Sequence, residues 1–224
     1  MLPLFLCPGG MRRSRFFLNF LFRHFRYKHN FDTRRLMQNQ LLQYLSSVQA
    51  FSSEELEVIG SYFSLKKLLK EEYLLREGQV CNQIAFIEKG LLLYTRITDS
   101  GEEKACDFAK EQDWVTQYNS FITRTPSALS IKALEETEIY TVSFEKLNAL
   151  YDRFPPFERI ARQLIERFFI QAVQRTDDLQ NLGASARYEK LLNENPAILQ
   201  RVPQYFIASY LGITPQSLSR IRKK

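Results

Sequence analysis

Seven short β-rich runs follow one another between Ser64 and Val142, and no other feature limits the fold so strongly. They occupy residues 65–69, 73–75, 84–87, 91–98, 104–108, 129–133 and 139–142. Glu77-Gly78, Lys89-Gly90 and Asp99-Ser100-Gly101 interrupt them with the positive-φ or Asx geometry that tight turns need. Many short strands at this spacing predict an antiparallel barrel or roll. Amphipathic patterns on either side predict helices over 37–47 and 53–63, the second opened by Ser52-Ser53-Glu54-Glu55 with a capping residue and first-turn acids. Further helices are predicted over 144–150, 157–182 and 185–195, so the fold class is α+β.

The 224 residues are 45% hydrophobic and 25% charged, enough apolar mass for real cores and too much for a disordered chain. Three cysteines, Cys7, Cys81 and Cys106, are an odd and scattered set that fits a reducing, cytoplasmic compartment. The net charge of +6 is unevenly placed. Residues 1–36 hold eight Arg or Lys against Asp32 alone, and residues 201–224 hold five against no acid, leaving the middle of the chain acidic. The leader's apolar run, 16–22, is far shorter than the roughly 20 residues of a membrane span and lacks the order of a secretory signal. The expectation is that translation begins at Met37 and that 1–36 is dispensable, a basic membrane-surface helix being the alternative; no membrane partner is expected.

On the long helix, Ile160, Leu164, Phe168 and Ala172, joined by Ile165, Phe169 and Val173, form a broad apolar stripe opposite Arg162, Glu166 and Arg167. It must bury against the roll or against a second copy. The tail carries the most specific pattern. Ile207 and Leu211 point inward from a short helix over 204–210, Ala208 admits a close crossing, and Gly212 supplies the turn. Thr214 can cap a second helix, Pro215 suits its first turn, and Leu218 and Ile221 recur on its packed side. This is the helix-turn-helix arrangement, and the segregated positive charge points to double-stranded DNA as its expected partner rather than to a helical hairpin that only caps the protein. Gln216 and Arg220 are placed to read bases. Ser217, Arg222 and Lys223 are placed for phosphates, with Thr214 and Ser219 on the same DNA-facing surface.

Residues 37–224 resemble the cyclic AMP receptor protein / fumarate–nitrate regulator (Crp/Fnr) family, in order and almost without gaps. The stretch LLREGQVCNQIAFIEKGLLLYTRITDSGEEKACDFAKEQDW looks like the family's β-roll, Phe154-Pro155 and the helix after it like its dimerisation helix, and residues 184–192 like the lead into its winged helix-turn-helix. The resemblance implies a sensor roll with flanking helices over 37–153, a dimerisation helix over 154–182 and a DNA-binding domain over 183–224. It also implies a homodimer through Ile160, Leu164, Phe168 and Ala172, a pseudo-palindromic operator, and RNA polymerase as a further partner.

Two departures qualify it. Where the family holds a cyclic nucleotide with Gly-Glu and Arg-Ser pairs, this chain reads Thr116-Gln117 and Pro126-Ser127, and the helix positions that would bond the base align with Ala172 and Val173. Cyclic AMP is therefore not expected to act in the usual way. Thr116, Gln117, Arg124 and Ser127 are the candidate lining for an unknown small-molecule effector, with Arg124 as a substitute cation, or they merely close the loop. The sequence also stops at Lys224, right after the recognition helix, so the usual β-wing is not expected. From residue 37 on there is no histidine for a cupin metal or a haem, and three cysteines do not make an iron–sulfur site. No metal, cofactor or catalytic group is expected, and the chain reads as a regulator rather than an enzyme. The alternative is an effector-binding or protein-docking roll whose wingless DNA domain no longer binds DNA specifically.

Overall fold

The computed structural model describes residues 39–223, so the expectations for the leader lie outside the described residues. Helices α1 (Gln40–Val48) and α2 (Ser53–Ser61) precede the roll. Their starts are set by side chains: Asn39 Oδ1 accepts from the Leu42 N–H at 2.7 Å, and Ser52 and Glu55 cap one another reciprocally. The Glu88 carboxylate, from the roll, accepts the Gln40 N–H and ties α1 down. Leu41, Leu42 and Leu45 fall on one face and are buried.

Eight strands form two antiparallel sheets: β1 (Ser64–Leu68), β2 (Tyr73–Leu75), β3 (Gln83–Lys89), β4 (Leu92–Ile97), β5 (Glu103–Ala109), β6 (Trp114–Val115), β7 (Ser130–Ala133) and β8 (Thr137–Ser143). One sheet has the order β1-β8-β3-β6, the other β2-β7-β4-β5. All seven expected runs are strands. The two-residue β6 and the one-turn helix α3 (Tyr118–Thr123) between the sheets are additions, too short to show a period in sequence. Gly78, Gly90 and Gly101 all take positive φ, as the turns require. The interior holds Phe86, Leu92, Val115, Phe121, Ile131 and Ile139, with Tyr44, Phe63, Phe86 and Trp114 meeting edge to face or tilted.

After α4 (Phe144–Arg153) the chain enters α5 (Pro156–Asn181), then α6 (Ala184–Glu194), α7 (Pro196–Arg201), α8 (Gln204–Tyr210) and α9 (Pro215–Arg222). The last four helices, the head, do not stand away from the roll. On β4, Leu92 packs into the roll's core, while Leu93 packs outward against the head. The period of two in a strand sends neighbours to opposite faces, and here both faces are covered. Leu91, Leu93, Ala105 and Leu134 of the roll share one apolar cluster with Leu191, Ile198, Val202, Phe206, Leu211 and Leu218. Among the described residues, no helix is long and apolar enough to cross a membrane.

Candidate functional site

The helix-turn-helix forms where the sequence places it. Ile207, Ala208, Leu211 and Leu218 are all buried, and the chain turns at Gly212 with φ of 68°. Thr214 caps α9: its Oγ1 accepts the Ser217 N–H at 3.2 Å, and its hydroxyl lies 3.0 Å from that of Ser217. Pro215 takes the first turn. Thr214 and Ser217 thus hold the helix start as well as bordering its outer face. Gln216, Ser219, Arg220, Arg222 and Lys223 are exposed, and among the described residues Arg220, Arg222 and Lys223 make no ion pair.

The turn is braced from α6 and from the long helix. The Arg187 guanidinium donates from Nε and Nη2 to the Leu211 carbonyl at 3.1 and 2.8 Å, and from Nη1 to the carbonyl of Leu182, where α5 ends. Arg175 of α5 lies 3.8 Å from the Tyr210 ring centroid and pairs with Asp107 of β5. Burial pushes the Asp107 carboxyl up, and Arg175 opposes that.

On α5 the apolar stripe divides. Phe157 and Ile160 are buried in the roll's own core, and Leu164, half-buried, packs against it. Farther along, Ile165, Phe168, Phe169, Ala172 and Val173 are exposed, Phe169 at 69%. Of the four residues expected at a dimer seam, only Phe168 and Ala172 lie open. Phe169 and Val173, their neighbours on the helix, are exposed as well.

The loop region matching the nucleotide cassette is closed on itself. Gln117 caps α3, its Oε1 accepting the Ser120 N–H at 2.6 Å. Thr116 Oγ1 donates to the Gln83 carbonyl at 3.2 Å and touches the Cys81 thiol at 3.3 Å. The Tyr94 hydroxyl donates to the Thr116 carbonyl and accepts its N–H, and burial pushes this phenol far above its ordinary value. Pro126 forms a β-bridge with Val80, and Ser127 is buried with its hydroxyl on the Leu129 carbonyl at 2.7 Å. Arg124 does not turn inward. It sits in the left-handed region at φ 59°, donates to the Cys81 carbonyl at 3.0 Å and to Asn82 Oδ1, and lies over the Phe144 ring. The cavity beside this loop holds about 150 Å³, with Leu74, Leu75 and Ile131 on its apolar side and Gln79, Cys81, Asn82, Gln83 and Thr116 on its polar side. It is smaller than the ~300–1,000 Å³ of ordinary ligand pockets, and no charged residue lines it.

The basic tail is less open than its composition suggests. Arg201 makes a bidentate pair with Glu111 at 2.9 and 2.8 Å and a second with Glu135 at 2.6 and 3.3 Å. Sequence reasoning missed this contact, since the three residues are far apart in the chain and carry no local signal.

Comparison with known proteins follows the same division. Residues 65–154 match the cyclic nucleotide-binding domain family. The anaerobic regulatory protein of Bacillus subtilis is 28% identical over 102 residues, 46% of this chain and 43% of that protein, so the chain spans under half the length of that relative. The transcriptional activator protein anr of Pseudomonas aeruginosa is 26% identical over 169 residues, 70% of this chain and 68% of that one. Among solved structures, FixK2 from Bradyrhizobium japonicum superposes with a TM-score of 0.62 at 15% identity, over 72% of this chain and 83% of that chain, a likeness of fold.

Proposed function

We propose that this chain, whose residues 65–154 match the cyclic nucleotide-binding domain family, is a dimeric, sequence-specific DNA-binding transcription regulator of the Crp/Fnr type. The observation that carries the reading is α9. It is capped, braced by Arg187, and presents Gln216, Ser219, Arg220 and Lys223 to solvent, after a stretch, 37–200, that carries an excess of acids. An exposed helix of this composition fits the major groove. Arg220 would pair bidentately with guanine and Gln216 with adenine, while Arg222 and Lys223, with Ser217, meet phosphates. Two copies joined along the open face of α5 would read a pseudo-palindrome with half-sites about one helical turn apart. RNA polymerase and a reducing cytoplasm go with that role.

The roll is not run by cyclic AMP in this reading. Its cavity is small and neutral, and the cation nearest the old cassette, Arg124, is spent on Cys81 and Asn82. An effector in that cavity would be small and uncharged.

The test is fluorescence anisotropy with a selected operator and its single-base variants. Arg220→Ala should lose about 1–3 kcal/mol of discrimination at one base pair per half-site. Lys223→Ala should weaken all duplexes alike and flatten the salt dependence. Equal weakening of every sequence by Arg220→Ala overturns the assignment of that residue as a base reader.

A further inference from the structure

The head is seated on the roll through a charge contact that resembles a protein–DNA backbone contact. Arg201 ends α7, three residues before Gln204 opens α8, the first helix of the helix-turn-helix, the element that crosses the DNA backbone in such modules. Its guanidinium is instead clamped by the Glu111 and Glu135 carboxylates of the roll, through four hydrogen bonds of 2.6 to 3.3 Å. Glu111 is held in place by the Gly90 N–H at 2.9 Å, so the receiving group is part of the roll's framework. A planar fork of N–H donors takes carboxylate and phosphate oxygens in the same bidentate manner, so the two compete for it.

The seam around this pair is specific to the docked head. Phe206 of α8 is 1% exposed, lying against the ammonium of Lys132, which is itself bonded to Glu71 and Glu103. Ser209 Oγ accepts the N–H of Ala105, closing the edge of β5. An edge strand left bare would expose that donor, so the head is received by backbone as well as by charge.

We propose that the acidic rim of this sheet is an autoinhibitory cradle. Glu111 and Glu135 stand in for DNA phosphates on Arg201, and the head binds DNA more tightly once it leaves them. The inference rests on the DNA-binding reading above. While the head is docked, one of its cations is neutralised by two carboxylates, and release restores it.

The experiment uses the full chain and a fluorescein-labelled duplex of arbitrary sequence, titrated over a range of KCl. The double variant Glu111→Gln with Glu135→Gln keeps shape and removes charge. It should bind at least about fivefold tighter, within the usual range of coupling between sites. Its log affinity against log salt should steepen by about 0.9 per head, the signature of one more phosphate contact. Adding Arg201→Ala to that variant should abolish the extra slope. Undocking is read independently by hydrogen exchange at the Ala105 amide, which should lose protection. Where the double variant does not fold, Glu135→Gln alone carries the same expectations at smaller amplitude. If the wild type binds duplex and the undocked variant binds no tighter, the cradle is overturned and the DNA-binding reading stands. If the Ala105 amide exchanges freely and no form binds any duplex, both are overturned.

Discussion

Gly90 has no room for a side chain. Its φ is 110°, and a β-carbon there would come within 2.4 Å of Thr137 Oγ1 and 2.7 Å of the Thr137 Cα. Neither backbone nor a buried threonine can yield, so strain and overlap add. Gly90→Ala should destabilise the chain by at least about 1–3 kcal/mol, read as a fall in melting temperature. An unchanged melt would mean that the turn can re-form. Residues decide the effector question too. Pro126 offers neither charge nor N–H, and Ser127 is bonded to Leu129. Hydrogen bonds to charged groups contribute about 1.5–3 kcal/mol each. Losing two should leave cyclic AMP roughly 10²–10⁴-fold weaker than in a roll that has both. Calorimetry with cyclic AMP and cyclic GMP checks this, and micromolar binding of either would contradict it.

At the scale of elements, α5 does two jobs with two ends of one stripe. Its first turns bury Phe157 and Ile160 in the roll, and its middle leaves Phe168, Phe169, Ala172 and Val173 open. An exposed apolar face this continuous is what a second copy would cover. Phe169→Asp with Val173→Asp should yield a monomer by light scattering while the roll's melting temperature holds. Ile160→Ala should do the reverse, costing about 2–5 kcal/mol of stability with the dimer retained. If the aspartate pair leaves the dimer intact, the seam lies elsewhere.

Across the whole molecule, roll and head share one apolar cluster and one ionic clamp, so they should resist acid together down to a threshold. Burial by itself would raise the Glu111 carboxyl, but the hydrogen bonds from Arg201 and from Gly90 outweigh it and hold the group at about 2, against an ordinary value of 4.5. A depressed carboxyl contributes stability that is present above its ordinary value and is lost as pH falls through the lowered one. The head should therefore loosen between pH 4.5 and about 2. Pepsin cleavage within 183–201 over that range is the readout, and Arg201→Met should remove the pH step. A step of the same size in Arg201→Met would assign it to other carboxyls.

The strands, the glycine turns, the helix-turn-helix and its cap at Thr214 follow from local rules: alternation, positive φ, and side-chain oxygens over helix starts. Those rules act within a few residues, which is why they are legible in the chain alone. The exposed set on α9 was legible for the same reason, since the burial of Leu218 fixes which face remains. What α5 does with its stripe was not. Periodicity shows that Ile160 and Phe168 lie on one face, but only packing decides that the first meets the roll and the second meets solvent. Nor was Arg201 legible as a docked residue. Its partners stand 90 and 66 positions away, and long-range pairs leave no trace in spacing. The apolar run Leu91-Leu92-Leu93 shows that both faces of a strand are buried, but what covers the second face, the head itself, is settled by tertiary structure, because burial has no direction until another element arrives.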